Sequence, residues 1–328
     1  MINIVNNSHH PYFNLALEEY VLTTMDKSHK YCILWQNEPA VIVGRNQNTA
    51  GEINEALVNA EGIKVVRRIT GGGAVYHDLG NLNFTFIVPE TGLKQFDFAR
   101  FTRPVIRTLA LLGVDARNEG RNDITIAGRK ISGNAQCRRR GRIMHHGTIL
   151  FDTDFTVLEK VLTAGQDKIQ SHGVASVRSR VTNIKEHLPA DISIQDFKNL
   201  LLKTIKEEEN LTDYHLSAEE LAEVNQLAQS KYSTWEWNYG TSPWFNVRLQ
   251  KRFDWGAVEI RLGVKKGLVT SCRIWGDFFA LKELDSLEKH FLSRSYSNQE
   301  MIRALQEIDV SEYITGAVRQ DFISLFQQ

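Results

Sequence analysis

The sequence has little that would staple, anchor or polarise it. Three cysteines, Cys32, Cys137 and Cys272, stand far apart among 328 residues. An odd, scattered set does not make a disulfide framework and is expected to stay reduced. Neither a CxxC pair nor HExxH appears, so the usual spacings of a structural or catalytic zinc site are missing. No apolar run reaches the ~20 residues that span a bilayer. The opening stretch Met1–Phe13 has no basic region followed by an apolar core, so no secretory leader is expected and a cytoplasmic location is. Lys plus Arg and Asp plus Glu are each 39, for a net charge of +0. No global field draws the chain to nucleic acid or to an anionic membrane, and neither is expected as a partner. Internal repeats and low-complexity tracts are also lacking.

What is present is an ordinary globular composition, 42% hydrophobic and 24% charged, long enough for about two domains. Phe13, Leu17, Tyr20 and Val21 recur at helical spacing, with Glu18 and Glu19 on the other side, which predicts an amphipathic helix. Strands are expected at Tyr31–Trp35, Ala40–Val43, Ile63–Val66, Asn83–Val88 and Thr148–Phe151, and a hairpin at Asp123–Ile126 and Lys130–Ser132. Phe101 to Leu112 reads as a helix closed by Gly113. Ile192–Ser230 is helical and charged, and Gly240–Pro243 reads as a junction. Beyond it, Phe253–Val264 and Leu268–Trp275 make a hairpin about Lys265–Gly267, and helical stretches follow at Leu281–Leu292, Asn298–Ile308 and Ile314–Phe326. Strands and helices mix without a βαβ rhythm. The expected class is α+β, with a mixed, largely antiparallel sheet covered by helices and a small α+β C-terminal domain. The boundaries fall at residues 1–244 and 250–328.

The strongest local pattern is RRITGGGAVYHDLGN, Arg67–Asn81. Three consecutive glycines admit positive φ and close approach of a ligand to the main chain. Successive N–H groups in such a bend form an anion-binding nest. The same glycines also suit a plain sheet corner. The pattern is neither a P-loop nor a dinucleotide fingerprint. In GRNDITIAGRKISGNAQ, Gly120–Gln136, Lys130 starts a strand after a turn, a rigid place from which to aim an ammonium, though the pattern by itself reads first as a solvated hairpin lysine. Asn122 and Asp123 suit a ribose, a base edge or Mg²⁺, or simply cap their own turn. Arg129, Lys130, Arg138, Arg139, Arg140 and Arg142 form a basic run without an acid. It suits a loop closing over phosphates, an acidic partner or bare solvent, and lacks the aromatics that stack bases. Cys137 within it is a candidate thiolate, while Cys32 and Cys272 read as core. Trp235 and Trp237 read as packing anchors.

Taken together, NLALEEY (Asn14–Tyr20), GRNQN (Gly44–Asn48), RRITGGGAVYHDLGNLNFTF (Arg67–Phe86), GRNDI (Gly120–Ile124), GRKISGNA (Gly128–Ala135), HHGTILFD (His145–Asp152), SVRSRVTN (Ser176–Asn183), WEWNYG (Trp235–Gly240) and FDWGAVEI (Phe253–Ile260) resemble the lipoate–protein ligase family over almost the whole chain. The resemblance implies a biotin/lipoate-ligase-like catalytic domain with a small accessory domain. It implies two half-reactions: lipoate and ATP, the latter with Mg²⁺, give lipoyl-AMP, and a carrier lysine then takes the lipoyl group. No tightly bound organic cofactor is implied. Implied carriers are lipoyl domains of 2-oxoacid dehydrogenase complexes and the glycine cleavage H protein. Lys130 is implied as catalytic. Arg45, Arg68, Gly71, Gly72, Gly73, Ala74, Val75, His77, Asn81, Gly133, Ala135 and His146 are implied around lipoate or its adenylate. Tyr76, Asn122, Asp123 and Thr148 are implied around the nucleotide, with Asp123 toward Mg²⁺. Gln136–Met144 is expected as a mobile loop shielding the mixed anhydride, ordered between Gly133 and Gly141 by adenylate. A rearrangement of the domain after Pro243 is expected with it. Where some members carry an arginine, this chain has Cys137, so no phosphate contact is assigned to Arg138. Two other functions stay open: an octanoyl or lipoyl amidotransferase working through a cysteine thioester, and a non-catalytic protein that binds lipoyl carriers or RNA.

Overall fold

The computed structural model describes residues 1–90, 97–162, 180–240 and 246–327. Residues 176–179 of the SVRSRVTN stretch, and the junction around Pro243, lie outside them. An eight-stranded sheet runs in the order β11-β1-β2-β6-β10-β9-β8-β7. Its strands are β1 (Ile2–Ile4), β2 (Tyr31–Trp35), β6 (Asn81–Pro89), β7 (Ala116–Glu119), β8 (Asp123–Ile126), β9 (Arg129–Arg139), β10 (Arg142–Leu150) and β11 (Thr212–Tyr214). The β11–β1–β2 edge is parallel and the rest antiparallel. A smaller sheet, β4-β3-β5, joins β3 (Ala40–Val43), β4 (Lys64–Arg67) and β5 (Val75–His77). In the C-terminal unit β12 (Val247–Phe253), β13 (Gly256–Lys265) and β14 (Leu268–Gly276) form an antiparallel meander under helices Asp285–His290, Asn298–Gln306 and Arg319–Phe326.

Side-chain alternation sorts the large sheet into two faces. Leu82, Phe84, Phe86 and Val88 of β6 pack with Cys32 and Leu34 beneath helices Phe98–Leu111 and Ile194–Glu208. Asn81, Asn83 and Thr85 alternate with these residues and are also buried. Such a row of polar groups inside a protein needs partners, and it belongs to the functional face. On that face lies α1 (Pro11–Thr23), begun by a proline whose missing N–H costs a helix nothing at its first turn. The other core residues of α1 meet Tyr31, Ile33, Trp35, Val66 and Ile69.

Several expectations change here. Glu18 and Glu19 do not face solvent: Glu18 turns inward to Thr85 and His146, and Glu19 is covered by Lys231 and Tyr232 just after helix Ala218–Leu227, leaving the two 1% and 8% exposed. Ile192–Ser230 is not helical throughout, because β11 interrupts it to close the sheet edge. The C-terminal helices are shorter than their apolar spacing suggests, and β12 opens at Val247, ahead of residue 250. Trp235 is half exposed and stacks on Tyr239 rather than anchoring the core.

The basic run is not a loop. β9 and β10 form a long hairpin turned at Arg140 and Gly141, both with positive φ as a two-residue turn of this hand requires. Its Arg142 is fully buried, over the Tyr31 ring, and donates to carbonyls at the end of α1 and just beyond, Val21 at 2.7 Å and Leu22 and Met25 at 3.4 Å. A cation there satisfies the free carbonyls of a helix C-terminus. Arg142→Leu should therefore lower folding stability by about 1.5–3 kcal/mol, read as a lower urea midpoint at unchanged slope.

Candidate functional site

A cavity of about 830 Å³ opens between the functional face of the large sheet, the glycine loop and the C-terminal unit. Leu15, Trp35, Ile42 and Val75 give it apolar wall, and Asn122, Asp123, Lys130, Arg121 and Arg252 give it polar wall. Of the residues expected at a site, Arg68, Gly72, Gly73, Ala74, Val75, Tyr76, His77, Asn122, Asp123, Lys130, Gly133, Ala135, His146 and Thr148 line it. Arg45, Gly71 and Asn81 do not line it. Arg45 turns outward to Glu283 and lies over the Trp237 ring. Gly71 faces the Phe278 carbonyl so closely that a Cβ would stand 2.3 Å from its oxygen. Asn81 sits behind the wall, its amide donating to Asn83.

Both arginines are engaged by the chain itself. Arg67 donates to the carbonyls of Gly44, Arg45 and Gln47 and to Thr49 Oγ1. It thereby ties β4 to the GRNQN turn. Arg68 donates to the carbonyls of Ile42, Gly71 and Gly73 and to Thr70 Oγ1. Burial lowers both guanidinium groups to about 10, so both remain cations at neutral pH. They shape the loop from inside. The loop lies against Gly44, where a Cβ would stand 1.9 Å from the Gly72 oxygen. Only glycine admits that approach.

Lys130 Nζ lies 2.8 Å from Asp123 Oδ1 at the cavity wall, and a Cβ on Gly133 would come 2.8 Å from the same ammonium. Gly133 is thus what gives Lys130 its space. Asn122 is held by the main chain of β9, its side-chain amide donating to the Asn134 carbonyl at 2.6 Å. Thr148 Oγ1 accepts from the Gly133 N–H at 3.1 Å. Among the described residues no group of three or more His, Cys, Asp or Glu gathers as a metal cage. Asp123 stands with Lys130 instead, so any Mg²⁺ there comes in with nucleotide phosphates, as this ion commonly does.

Arg121, Arg252 and Asp277 belong to the cavity wall and escaped the sequence reading. Arg252 and Asp277 lie in the C-terminal unit, 3.0 Å apart. Arg121 stacks on Phe279 at 4.6 Å and donates to the Trp255 carbonyl. The Gly276 N–H donates to the Asn46 carbonyl at 2.6 Å, and the Gly72 N–H to the Phe278 carbonyl at 3.4 Å. Nothing local in the sequence pairs residues so far apart.

Cys137 is partly covered on β9, and burial pushes its thiol up to about 12, against the thiolate expected from its basic neighbours. Arg138 pairs with Glu90, and Arg139 with Glu19 and Glu283, so this charge is spent inside the protein. The two histidines of β10 point to opposite faces. His145 stacks on Phe101 in the core, 4.9 Å between centroids, and His146 faces the cavity. Burial lowers His77 to about 3, with Arg68 adding to the effect, and lowers His145 well below its ordinary 6.5.

The profile of the family described as "Lipoyl protein ligase A/B catalytic domain" matches residues 10–206, and that of "Bacterial lipoate protein ligase C-terminus" matches residues 242–326. The Bacillus subtilis lipoate-protein ligase LplJ is 41% identical over 322 residues, 97% of each chain. Lipoate–protein ligase 1 of Staphylococcus aureus is 40% identical over 98% of each. Among solved structures, P. falciparum LipL1 in complex with lipoate superposes with a TM-score of 0.79 at 25% identity, covering 100% of this chain and 99% of that one. A lipoate-protein ligase A bound with ATP gives 0.63 at 28% identity, covering 73% and 98%.

Two predictions follow from these titrating groups. Cys137→Ser should keep most of the activity, and alkylation of the native protein between pH 7 and 8 should leave Cys137 unmodified in a peptide map. For His77 and His145 the unfolded chain takes up protons near 6.5 and the folded chain does not. Their contribution to stability is whole above that pH and is lost as pH falls toward the folded values, about 3 for His77. The urea midpoint should begin to drop below about pH 6.5, and His77→Gln should flatten that slope.

Proposed function

Since this chain belongs to the lipoate–protein ligase family, we propose that its cavity is where lipoate and ATP are joined and from which the lipoyl group leaves. The enzyme activates lipoate with ATP and transfers it to lysines of lipoyl-carrier domains. The observation that carries the site assignment is the convergence of the glycine loop, Lys130 and the apolar wall of Leu15, Trp35 and Val75 on one cavity.

In the first half-reaction a lipoate carboxylate oxygen attacks the α-phosphorus of ATP, and pyrophosphate leaves with Mg²⁺. Two anions meet, so fixed cations must offset their repulsion. Lys130 bridges the acyl oxygen and the α-phosphate, exchanging its contact with Asp123 for the substrates. Arg121 and Arg252 offer further positive charge along the same wall. Gly72, Gly73 and Ala74 present main chain to the acyl phosphate, and His77, Ala135 and His146 line the acyl chain. Tyr76, Asn122, Asp123 and Thr148 form the wall beside the nucleotide, and Gly133 that beside lipoyl-AMP. Arg45, Gly71 and Asn81, proposed around lipoate, stand outside the cavity lining. In the second half-reaction the carrier amine attacks the acyl carbonyl, AMP leaves and the amine loses a proton. Lys130 then stabilises the negative charge on the tetrahedral oxygen.

We assign the catalytic unit to residues 1–244 and the accessory unit to 250–328, with β12 crossing into the junction. The carriers proposed are lipoyl domains of 2-oxoacid dehydrogenases and the glycine cleavage H protein, in the cytoplasm, where the three thiols stay reduced. The raised Cys137 thiol counts against a thioester amidotransferase, and the paired arginines of the β9–β10 hairpin count against RNA. A purified lipoyl domain incubated with the protein, lipoate and Mg-ATP should gain one lipoyl mass, and none without ATP. Lys130→Ala should fold and lose about 3–4 kcal/mol of transition-state stabilisation, roughly 100- to 1000-fold, in pyrophosphate release and in transfer from preformed lipoyl-AMP. Wild-type pyrophosphate release by the folded variant would exclude the role given to Lys130.

A further inference from the structure

A carboxylate expected on the solvent side of α1 lies at the base of the site instead. Glu18 Oε1 stands 2.9 Å from His146 Nδ1 and accepts from Thr85 Oγ1 at 2.5 Å. Thr85 Oγ1 itself accepts from Trp35 Nε1 at 2.9 Å. Beyond the imidazole, His146 Nε2 is 2.7 Å from Thr70 Oγ1, which accepts from Arg68 Nε at 3.0 Å.

Taking Glu18 as the anion that faces the Arg68 cation, counting donors and acceptors points to one arrangement of protons. An ionised carboxylate only accepts, so His146 Nδ1 donates to Glu18. With its proton there, Nε2 is an acceptor and takes the Thr70 hydroxyl proton. Thr70 then offers a lone pair to the Arg68 Nε–H. A second proton on Nε2 would set two donors against Thr70 Oγ1 and leave its own hydroxyl without an acceptor in the chain. The series thus runs in one direction, from a buried guanidinium to a buried carboxylate. Glu18 is the carboxylate whose charge offsets the burial of Arg68.

At its other end Arg68 Nη2 holds the carbonyls of Gly71 and Gly73, each at 2.8 Å. In a trans peptide the carbonyl and the following N–H point in opposite directions. Holding these two oxygens therefore turns the N–H groups of Gly72 and Ala74 away from Arg68. A flipped peptide would present an anion with a carbonyl.

We propose that Glu18 is a positioning residue for acyl activation: acting through His146 and Thr70 it fixes Arg68, and so the direction in which the glycine loop offers its N–H groups to the substrate anion. The inference rests on the reading of this cavity as the adenylation site. Cutting the chain leaves the competent loop as a fraction of the population, and affinity falls by that fraction.

The test uses the full-length enzyme and a non-hydrolysable lipoyl-adenylate analogue, titrated by calorimetry into variants shown to be folded by circular dichroism. Thr70→Val removes the middle hydroxyl and leaves the Glu18–His146 contact. Glu18→Gln keeps the shape and removes the charge. Each should weaken analogue binding roughly tenfold or more, with the same factor lost from kcat/KM for pyrophosphate release. Thr70→Ser should restore wild-type binding. The double variant should lose no more than the worse single one, because both changes cut one chain. Imidazole ¹⁵N shifts should show His146 protonated at Nδ1 and bare at Nε2. Wild-type binding by folded Thr70→Val, losses that multiply in the double variant, or a bare Nδ1 would each overturn the proposal. If Glu18→Gln does not fold, the comparison of Thr70→Val with Thr70→Ser decides. A wild-type protein that makes no lipoyl-adenylate sinks the functional reading itself; an active wild type beside unimpaired variants sinks this inference alone.

Discussion

Two guanidinium groups buried side by side beneath three glycines hold the centre of this molecule together. A buried cation is costly unless its donors are met, and Arg67 and Arg68 meet theirs almost wholly with main-chain carbonyls. Those carbonyls come from the GRNQN turn, from β3, from the Trp235–Asn238 helix and from the glycine loop itself. Four stretches that are separate in sequence are thereby placed within one cage, and the cavity is the space left beside it. Gly44 and Gly71 are required because the cage is tight: a Cβ at Gly44 would meet the Gly72 carbonyl on one side, and a Cβ at Gly71 the Phe278 carbonyl on the other.

That arrangement explains which parts of the site were legible. The glycine run stood out locally, while Lys130, whose pattern alone reads as a solvated hairpin lysine, took its role from the family resemblance; Gly72, Gly73 and Lys130 share a cavity. β2 reads as a short continuous apolar run and β6 as an alternation of polar and apolar residues, and both are buried on both faces. Charge misled. Glu18, Glu19 and Arg142 look solvent-facing in any window of sequence, yet each is buried by a partner distant along the chain: Glu19 by Lys231, Arg142 by Val21. The β9–β10 hairpin looked like a loop because its strands carry arginines whose neutralising carboxylates lie on α1, after β6 and in the C-terminal unit. Resemblance to the ligase family supplied the roles of residues that no periodicity could give. It also implied Arg45, Gly71 and Asn81 around lipoate or its adenylate, and these three stand outside the cavity lining.

The C-terminal unit is more than an appendage. Its loop after β14 reaches the glycine triplet and the GRNQN turn through main-chain hydrogen bonds, and Arg252 and Asp277 complete the cavity wall. The Gly72 N–H, one of the few donors the loop can show to an anion, is directed at the Phe278 carbonyl, a long contact at 3.4 Å. An incoming phosphate or carboxylate is a stronger acceptor than a peptide carbonyl. A substrate anion at the loop would thus compete with the C-terminal unit for this one hydrogen atom.

The edge of the large sheet bears on how the protein is made. β1 pairs with β2 nearby, but its other side pairs in parallel with β11, Ile2 opposite Thr212. During synthesis that flank of β1 stays an open strand edge until about two hundred residues more have left the ribosome. Pairings of such long separation form slowly, and an unpaired edge is a template for any other strand. The last strand of the catalytic sheet thus acts as a clasp set late. Exposed Asp213 on β11 and buried Asn3 on β1 meet side chain to side chain at 2.7 Å, so the register of a contact made at the end of folding is set by polar pairing on a strand that buries no apolar side chain.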